Sequence, residues 1–120
     1  MLIRYKKNFE KIAMGLLSFM PSEKELKKLQ STIRQYETEK DWLLYLWKEG
    51  EDVIGLIGIV IDSEEIHVRH ISVNPSFRCQ GIGKRMLNGI EEMYAEKTVV
   101  ASDETSSFYE KCHEEQVDPF

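Results

Sequence analysis

The segment from His70 to Leu87 constrains the fold more than any other part of the chain. It opens with β-branched residues, reaches Asn74-Pro75, where a strand must stop, and crosses a short polar loop to Gly81-Ile82-Gly83. Apolar residues at helical spacing follow at once, so a helix begins at the glycines. Backbone N–H groups at such a turn converge on one point, which the positive end of the helix also faces. The segment therefore predicts an anion site suited to a phosphate, with Arg78 and Lys84 adding positive charge.

Hydrophobic spacing along the rest of the chain predicts a mixed succession of strands and helices. The predicted order is a strand over 2–5, helices over 8–20 and 22–36, strands over 42–47, 53–61 and 66–73, a helix over 83–97, a strand over 98–101 and a helix over 105–112. Asn8 is predicted to cap the first helix, and Ser22 with Glu25 to form a capping box for the second. Strands joined by short turns indicate an antiparallel meander, and strand–helix–strand indicates a right-handed parallel crossover. The predicted fold class is α+β, a mixed sheet with helices on both faces.

Composition limits the kinds of protein that this chain can be. Its 120 residues are 42% apolar and 31% charged, which predicts one domain over 1–120. The net charge of −5 argues against general nucleic-acid binding, and the longest apolar run, 53–61, is too short to cross a membrane. The N-terminus lacks the apolar segment of a signal peptide. Cys79 and Cys112 are therefore predicted to be free thiols in the reducing cytoplasm.

Two common phosphate-binding motifs do not fit the glycine turn. A Walker loop needs a glycine five positions before Gly83 and a serine or threonine after Lys84, and the chain has neither. A Rossmann fingerprint needs a third glycine where this chain has Met86, and it opens a series of βαβ units. Here the turn comes two-thirds of the way along the chain, so both motifs are disfavoured.

A third pattern accounts for more of the chain. The run V-x-P-x-x-R-x-x-G-I-G from Val73 to Gly83 resembles the acetyl-CoA loop of the GNAT family of N-acetyltransferases, R/Q-x-x-G-x-G/A. Residues 107–111, S-F-Y-E-K, resemble the last-helix signature of that family, and the predicted element order is similar to the family's order. The N-terminal half and the short length resemble family members encoded with riboflavin-synthesis genes in bacilli. The resemblance covers nearly the whole chain.

The resemblance implies transfer of an acetyl group from acetyl-CoA to an amine, in a direct ternary complex and without a metal. It implies that Ile71, Ser72 and Val73 run beside the pantetheine arm, with the Val73 N–H polarising the thioester carbonyl. It implies that the pyrophosphate is held by the loop residues Arg78, Cys79, Gln80, Gly81, Ile82, Gly83 and Lys84. Tyr109 falls where the family has its general acid, although a core aromatic would also suit that position. Ser102 falls on a pantetheine-contacting position, or simply caps the last helix.

The general base is less well defined by the sequence. His70 is the first candidate and His67 the second, because histidine changes its charge near neutral pH. Strict alternation puts His70 on one face of its strand with Ile66, Val68 and Ser72, and His67 on the other with Arg69, Ile71 and Val73, so only one histidine would face the cleft. A carboxylate acting through water is the alternative, from Glu64, Glu65 or Asp103. No histidine or cysteine pair has metal-ligand spacing, so no metal is expected.

The C-terminal end departs from the family pattern. The family continues from F-Y-E-K into x-G-F and two further strands, whereas here Cys112-His113 replace the glycine step and seven residues follow. The predicted fold is therefore truncated at its C-terminal strands, with an acceptor side that is open or completed by the second subunit of a homodimer. The sequence favours an N-acetyltransferase with an unidentified amine acceptor. The alternative is a non-catalytic module that binds CoA or docks onto another protein.

Overall fold

The computed structural model describes residues 1–20, 23–78 and 80–101. Within these ranges the strands are β1 (Leu2–Arg4), β2 (Trp42–Glu49), β3 (Asp52–Ile61), β4 (Glu65–Val73) and β5 (Thr98–Ala101), and the helices are α1 (Glu10–Leu17), α2 (Leu26–Thr38) and α3 (Ile82–Met93). Single 3₁₀ turns precede α1 at Lys7–Phe9 and α3 at Pro75–Phe77. The predicted order is confirmed as far as β5. The last predicted helix, 105–112, and the tail that follows it lie outside the described residues.

The strands form one five-stranded sheet whose spatial order is the same as their order in the chain. β1 to β4 pair antiparallel, and β5 pairs parallel to β4. A parallel neighbour needs a crossover, because the chain must return to the same end of the sheet, and α3 supplies it. The predicted meander, the parallel crossover and the α+β fold class are therefore confirmed.

The sheet has a separate apolar core on each face, as the prediction of helices on both faces requires. On one face the buried side chains of β3 and β4 pack against α3 residues Ile82, Met86 and Ile90. On the other, Leu44, Leu46 and Leu56 of β2 and β3 pack against residues of α1 and α2. No helix within the described residues is both long enough and apolar enough to cross a bilayer.

The structure corrects both predicted helix caps. Asn8 lies inside the 3₁₀ turn, and the start of α1 has no side-chain cap. Within the turn, the Phe9 N–H instead donates to the Lys6 carbonyl at 2.8 Å, so a backbone group and not a side chain satisfies this donor. α2 begins one residue after Glu25, which occupies the cap position rather than the first turn, and it also lacks a side-chain cap bond. Ser22 lies outside the described residues. The predicted capping box is therefore wrong, because it needs Glu25 in the first turn of α2, three residues after the cap.

Candidate functional site

A β-bulge at Arg69 determines which side chains of β4 share a face. Gly58 of β3 pairs with His70, and the next β3 residue, Ile59, pairs with Val68, so Arg69 is the extra residue. The bulge reverses the alternation along the strand. The prediction from strict alternation is therefore wrong: Ile66, Val68, Ile71 and Val73 share the core on the α3 face. His67 and His70 pair with Val60 and Gly58, two residues apart on β3, so both histidines lie on the same face.

The described part of β5 pairs with β4 only as far as Val68, whose partner Ala101 is the last residue of β5 that the structure describes. Beyond it, Asn74 N–H donates to the Ile54 carbonyl of β3 at 2.8 Å. Successive amides of a strand point to opposite edges, so the N–H groups of Val73 and Ile71 point away from β3. No described strand lies there, and β4 presents a short free edge of backbone donors.

The loop after β4 prepares the start of α3. The Asn74 side chain accepts the Ser76 N–H at 2.9 Å, and the Arg78 guanidinium donates to the Val73 carbonyl at 3.2 Å. Gly81 then adopts φ 79°, ψ 12° as the residue before α3, a left-handed conformation that side chains disfavour. A Cβ added at Gly81 would meet no atom within 4 Å. The loop therefore ends in an open glycine at the positive end of a 12-residue helix.

The remaining loop residues divide by burial. Ile82 and Gly83 are buried and anchor the helix, whereas Gln80 and Lys84 are exposed beside Gly81. Arg78 is also exposed, with its guanidinium carbon 5.8 Å from the centre of the Phe19 ring. Exposed polar side chains on a turn held by buried neighbours suit the binding of a charged ligand from solvent.

Ser72 has the one buried side-chain polar atom without a hydrogen-bond partner among the described residues. Its hydroxyl lies on β4 between Ile71 and Val73, and the side chain is 4% exposed. A buried hydroxyl without a partner costs about 1–3 kcal/mol. A ligand group that forms a hydrogen bond with the Ser72 hydroxyl would recover that free energy.

His70 is held at both ring nitrogens by buried side chains. Its Nδ1 lies 2.6 Å from the Tyr36 hydroxyl of α2, and its Nε2 lies 2.9 Å from Oε1 of Glu23 in the turn before α2. The Thr32 hydroxyl donates to the other oxygen of Glu23 at 2.8 Å. All four side chains are less than a tenth exposed. They form what we call the His70 network, which joins β4, α2 and the α1–α2 turn.

The protonation states in the His70 network follow from its contacts. Burial raises the pKa of the Glu23 carboxyl, but hydrogen bonds from His70 and Thr32 lower it by more. The pKa of Glu23 therefore lies below its ordinary value. Burial also raises the pKa of the Tyr36 hydroxyl. Glu23 is therefore a carboxylate and Tyr36 a neutral phenol near neutral pH. A carboxylate can only accept, so His70 Nε2 carries a hydrogen and donates it to Glu23.

His67 lies in a more exposed setting at the other end of β4. Its Nε2 is 3.0 Å from Oδ2 of Asp62, and Glu65 is 3.9 Å away. A hydrogen bond from His67, with the amides of Glu65 and Glu64, lowers the Asp62 pKa to about 2. The ligand atoms of Asp62, Glu65 and His67 lie within 4.8 Å of one another, a proximity that sequence spacing did not reveal. The Asp62 side chain is used to close the β3–β4 turn, and these groups are remote from the free edge of β4.

Comparison of the sequence with known proteins identifies the family of this chain. The sequence model of the acetyltransferase (GNAT) family matches residues 11–113. The chain belongs to the GNAT acetyltransferase family. It is 61% identical over 113 residues to an "Uncharacterized N-acetyltransferase in lysA 3'region" of Bacillus methanolicus, covering 93% of this chain and 94% of that protein. The predicted enzyme class, an acyltransferase, is thereby confirmed.

Solved structures support the GNAT fold at low sequence identity. AAC(6')-Iy in complex with the bisubstrate analog CoA-S-monomethyl-acetylneamine has a TM-score of 0.75 at 15% identity, covering 96% of this chain and 87% of that one. A "possible acetyltransferase" from Clostridium difficile 630 has a TM-score of 0.76 at 12% identity, covering 97% and 87%. Identities this low establish the fold alone.

The described residues of this GNAT domain include some of the predicted site and omit the rest. Ile71, Ser72, Val73 and the loop residues other than Cys79 meet at the free edge of β4 and the start of α3. Cys79, Ser102, Asp103 and Tyr109 lie outside the described residues, so their roles stay predictions. Sequence reasoning missed Glu23, Thr32 and Tyr36. In the sequence Tyr36 looks like one more apolar position of the helix, and an acidic residue in a turn carries no local signal of burial.

Proposed function

We propose that this chain, as one GNAT domain over residues 1–120, transfers the acetyl group of acetyl-CoA to the nitrogen of an amine in a direct ternary complex. The free edge of β4 beside the left-handed Gly81 is the observation that carries the proposal. Backbone donors and a helix N-terminus there face an extended ligand that carries a pyrophosphate. AAC(6')-Iy, similar in fold, has been captured with a CoA bisubstrate analogue, which supports CoA as the donor's carrier.

The donor would be held mainly by backbone groups. The N–H groups of Ile71 and Val73 would pair with the pantetheine arm, and the Val73 N–H would polarise the thioester carbonyl as negative charge develops there. Ser72 offers its unpartnered hydroxyl to the same ligand. The pyrophosphate would lie against the N–H groups of residues 79–84, with Arg78 and Lys84 contributing charge. Ser102 is proposed as a further contact with the pantetheine.

Two proton transfers accompany acetyl transfer. An ammonium group cannot attack a carbonyl, so the amine must first lose a proton to a base. We assign that proton to His70, the histidine nearest along β4 to Val73. The nitrogen then bonds to the carbonyl carbon, the carbon–sulfur bond breaks, and Tyr109 is the proposed donor of a proton to the departing thiolate. His67, Glu64, Glu65 and Asp103 are then the less favoured bases.

The acceptor is proposed only as a class, an amine. AAC(6')-Iy was captured with CoA-S-monomethyl-acetylneamine, but the likeness to that enzyme is one of fold. The resemblance to family members such as RibT, encoded with riboflavin-synthesis genes in bacilli, favours a small metabolite amine in the cytoplasm. A homodimer that completes the acceptor side is part of the same proposal.

A non-catalytic CoA-binding or protein-docking module is the second candidate. One observation favours it: both ring nitrogens of His70 are already occupied by protein groups. Incubation with acetyl-CoA and a broad panel of amines separates the two functions. Release of free CoA thiol that depends on the amine supports the enzyme, and its absence with every amine supports the module.

Donor binding is tested first by thermal unfolding with CoA and with acetyl-CoA. A ligand that binds only the folded state at 100 times its Kd stabilises by about 2.7 kcal/mol, so we expect a clear rise in Tm. Adenosine, which lacks the pyrophosphate and the pantetheine, serves as the control. Equal Tm values with CoA, acetyl-CoA and adenosine would contradict the proposed donor site.

Ser72→Ala should separate the stability of the free protein from donor binding. We expect the free energy of unfolding to rise by about 1 kcal/mol, because the variant removes a buried hydroxyl that has no partner. The rise in Tm caused by CoA should be smaller than in the original protein. Thr38→Ala, which removes an exposed hydroxyl bonded to the Arg34 carbonyl, is the control and should leave the CoA response unchanged. An undiminished CoA response in Ser72→Ala would remove Ser72 from the donor site.

A further inference from the structure

The His70 network is more elaborate than a packed histidine requires. It buries a carboxylate, an imidazole, a phenol and a hydroxyl together at the interface of three elements. Buried charge is costly, and apolar side chains of the same volume would often stabilise a fold as well. The arrangement of donors and acceptors therefore has to be explained by something other than stability alone.

The network can satisfy His70 in two protonation states without moving a heavy atom. When the ring is neutral, Nε2–H donates to Glu23 and the Tyr36 O–H donates to Nδ1. When the ring gains a proton at Nδ1, the Tyr36 hydroxyl turns about its C–O bond and accepts it. Glu23 accepts from Nε2 in both states and offsets the new positive charge. A hydroxyl can exchange its roles in this way, whereas a lysine or a carbonyl in its place could serve only one state.

We propose that Glu23 fixes His70 as its Nε2–H tautomer and that the Tyr36 hydroxyl passes one proton to and from His70 Nδ1. This inference rests on the proposed function, in which an amine gives up a proton. The N–H bond of the amine breaks and the electron pair stays on nitrogen for the attack. Because the Tyr36 hydroxyl covers Nδ1, its oxygen takes up the released proton while its own hydrogen moves to Nδ1. The proton returns to solvent by the reverse route before the next cycle, so neither Glu23 nor Tyr36 changes its own charge.

Gly58 leaves the space that the Tyr36 hydroxyl needs to contact His70. Gly58 pairs with His70 across β3 and β4, and a Cβ at Gly58 would lie 2.1 Å from the Tyr36 oxygen. Any other residue would force the hydroxyl away from Nδ1. The aromatic ring is also held from the side by Trp42, at 5.2 Å between ring centres. The hydroxyl is therefore placed by packing that is independent of the hydrogen bond.

Further charges act on the two partners of His70. Lys28 of α2 favours the charged form of Glu23, and Arg69 of β4 acts on Tyr36. Thr32 supplies the remaining hydrogen bond to Glu23. These groups keep Glu23 in the acceptor role that the Nε2–H tautomer requires.

Nitrogen-15 NMR of the histidine rings tests the tautomer without any activity assay. The chain has three histidines, and the signals of His70 are those lost in His70→Gln. We expect a neutral His70 with hydrogen on Nε2 alone in the original protein and in Tyr36→Phe. Glu23→Gln, which can donate as well as accept, should give a mixture of both tautomers. Hydrogen on Nδ1, or a mixture in the original protein, would overturn the inference whether or not the chain proves to be an enzyme.

Kinetics with an acceptor amine tests the proton-handling role. Tyr36→Phe should lower kcat at least about tenfold, less than the roughly hundredfold or more that loss of a general base costs because His70 itself remains, with the KM for acetyl-CoA within about twofold. Glu23→Gln should move the acidic limb of the pH–rate profile to lower pH, because no carboxylate then offsets the protonated ring. Tyr45→Phe removes a hydroxyl from a buried tyrosine on the opposite face and should change neither quantity. An unchanged kcat in a folded Tyr36→Phe, with an unmoved limb in Glu23→Gln, would leave the network a purely structural role and refute the proposal.

Discussion

Gly58→Ala is expected to lower the free energy of unfolding by about 2–5 kcal/mol, the sum of overpacking and of a buried hydrogen bond lost. The new methyl would lie 2.1 Å from the Tyr36 oxygen and 2.4 Å from the ring carbon that bears it. Neither can retreat easily, because the ring is buried between Trp42 and His70. The Tyr36 ring should therefore move and leave Nδ1 of His70 without its donor. Urea unfolding followed by tryptophan fluorescence measures the change.

Two comparisons make that result specific. Gly55→Ala, in the same strand, would place its methyl 3.2 Å from the flexible end of Met86 and 3.3 Å from the Trp47 Cβ, and should cost much less than a contact at 2.1 Å. In a Tyr36→Leu background the obstructing ring is gone, so Gly58→Ala should become nearly neutral and the two substitutions should not be additive. Additive costs would show that the clash with Tyr36 is not the source of the loss.

Gly81→Val is expected to weaken CoA binding at least about tenfold, which is about 1.4 kcal/mol of binding free energy. Gly81 has φ 79°, and a left-handed backbone costs an ordinary residue about 1–2 kcal/mol, more for a β-branched one. If the substituted residue relieves this strain by changing its dihedral angles, the N–H groups at the start of α3 change direction. If it keeps the left-handed dihedral angles, its side chain occupies the open space where the pyrophosphate is proposed to bind. Titration calorimetry with CoA measures the loss.

A matched glycine separates these effects from general strain. Gly50, in the β2–β3 turn, also has positive φ, 59°, with no atom within 4 Å of an added Cβ. Gly50→Val should carry a similar stability cost and leave CoA affinity unchanged. Gly81→Asn tolerates the left-handed backbone, so any affinity that it loses reports occupied space rather than strain. Undiminished affinity in Gly81→Val would show that the phosphate loop is wrongly assigned.

The elements of this fold were predictable because their signals are local. Periodicity, β-branched runs and turn residues specified β1 to β5 and all three described helices to within a few residues. Helix ends were less predictable: α3 ends at Met93, about four residues before the predicted end, and both predicted caps were wrong. Capping depends on what the neighbouring side chains meet in the folded protein. Glu23 meets His70, forty-seven residues away, and no local pattern encodes that contact.

The candidate site was predictable where it depends on backbone and unpredictable where it depends on register. The glycine turn and residues 71–73 are visible in the sequence, because only particular residue types suit that backbone. The faces of β4 could not be predicted, because the one unpaired residue, Arg69, inverts the alternation of side chains and no sequence pattern marks it. His70 was correctly singled out as a candidate, but its partners Glu23 and Tyr36 come from other elements. Gly58 was the one available clue, as a glycine inside an apolar strand often marks close approach of another group.

The bulge at Arg69 does not change how the rest of β4 pairs with β3. A strand lacking that one residue would keep the same partners on β3, with Val68 beside Ile59 and His70 beside Gly58, and the same side chains in each core. The extra residue therefore belongs to neither apolar core. Its visible effect is to place the Arg69 guanidinium over the Trp42 ring, 5.4 Å from the ring centre, beside the His70 network. A single inserted residue thus adds a charged side chain next to that network without changing how β4 pairs with β3 on either side of it.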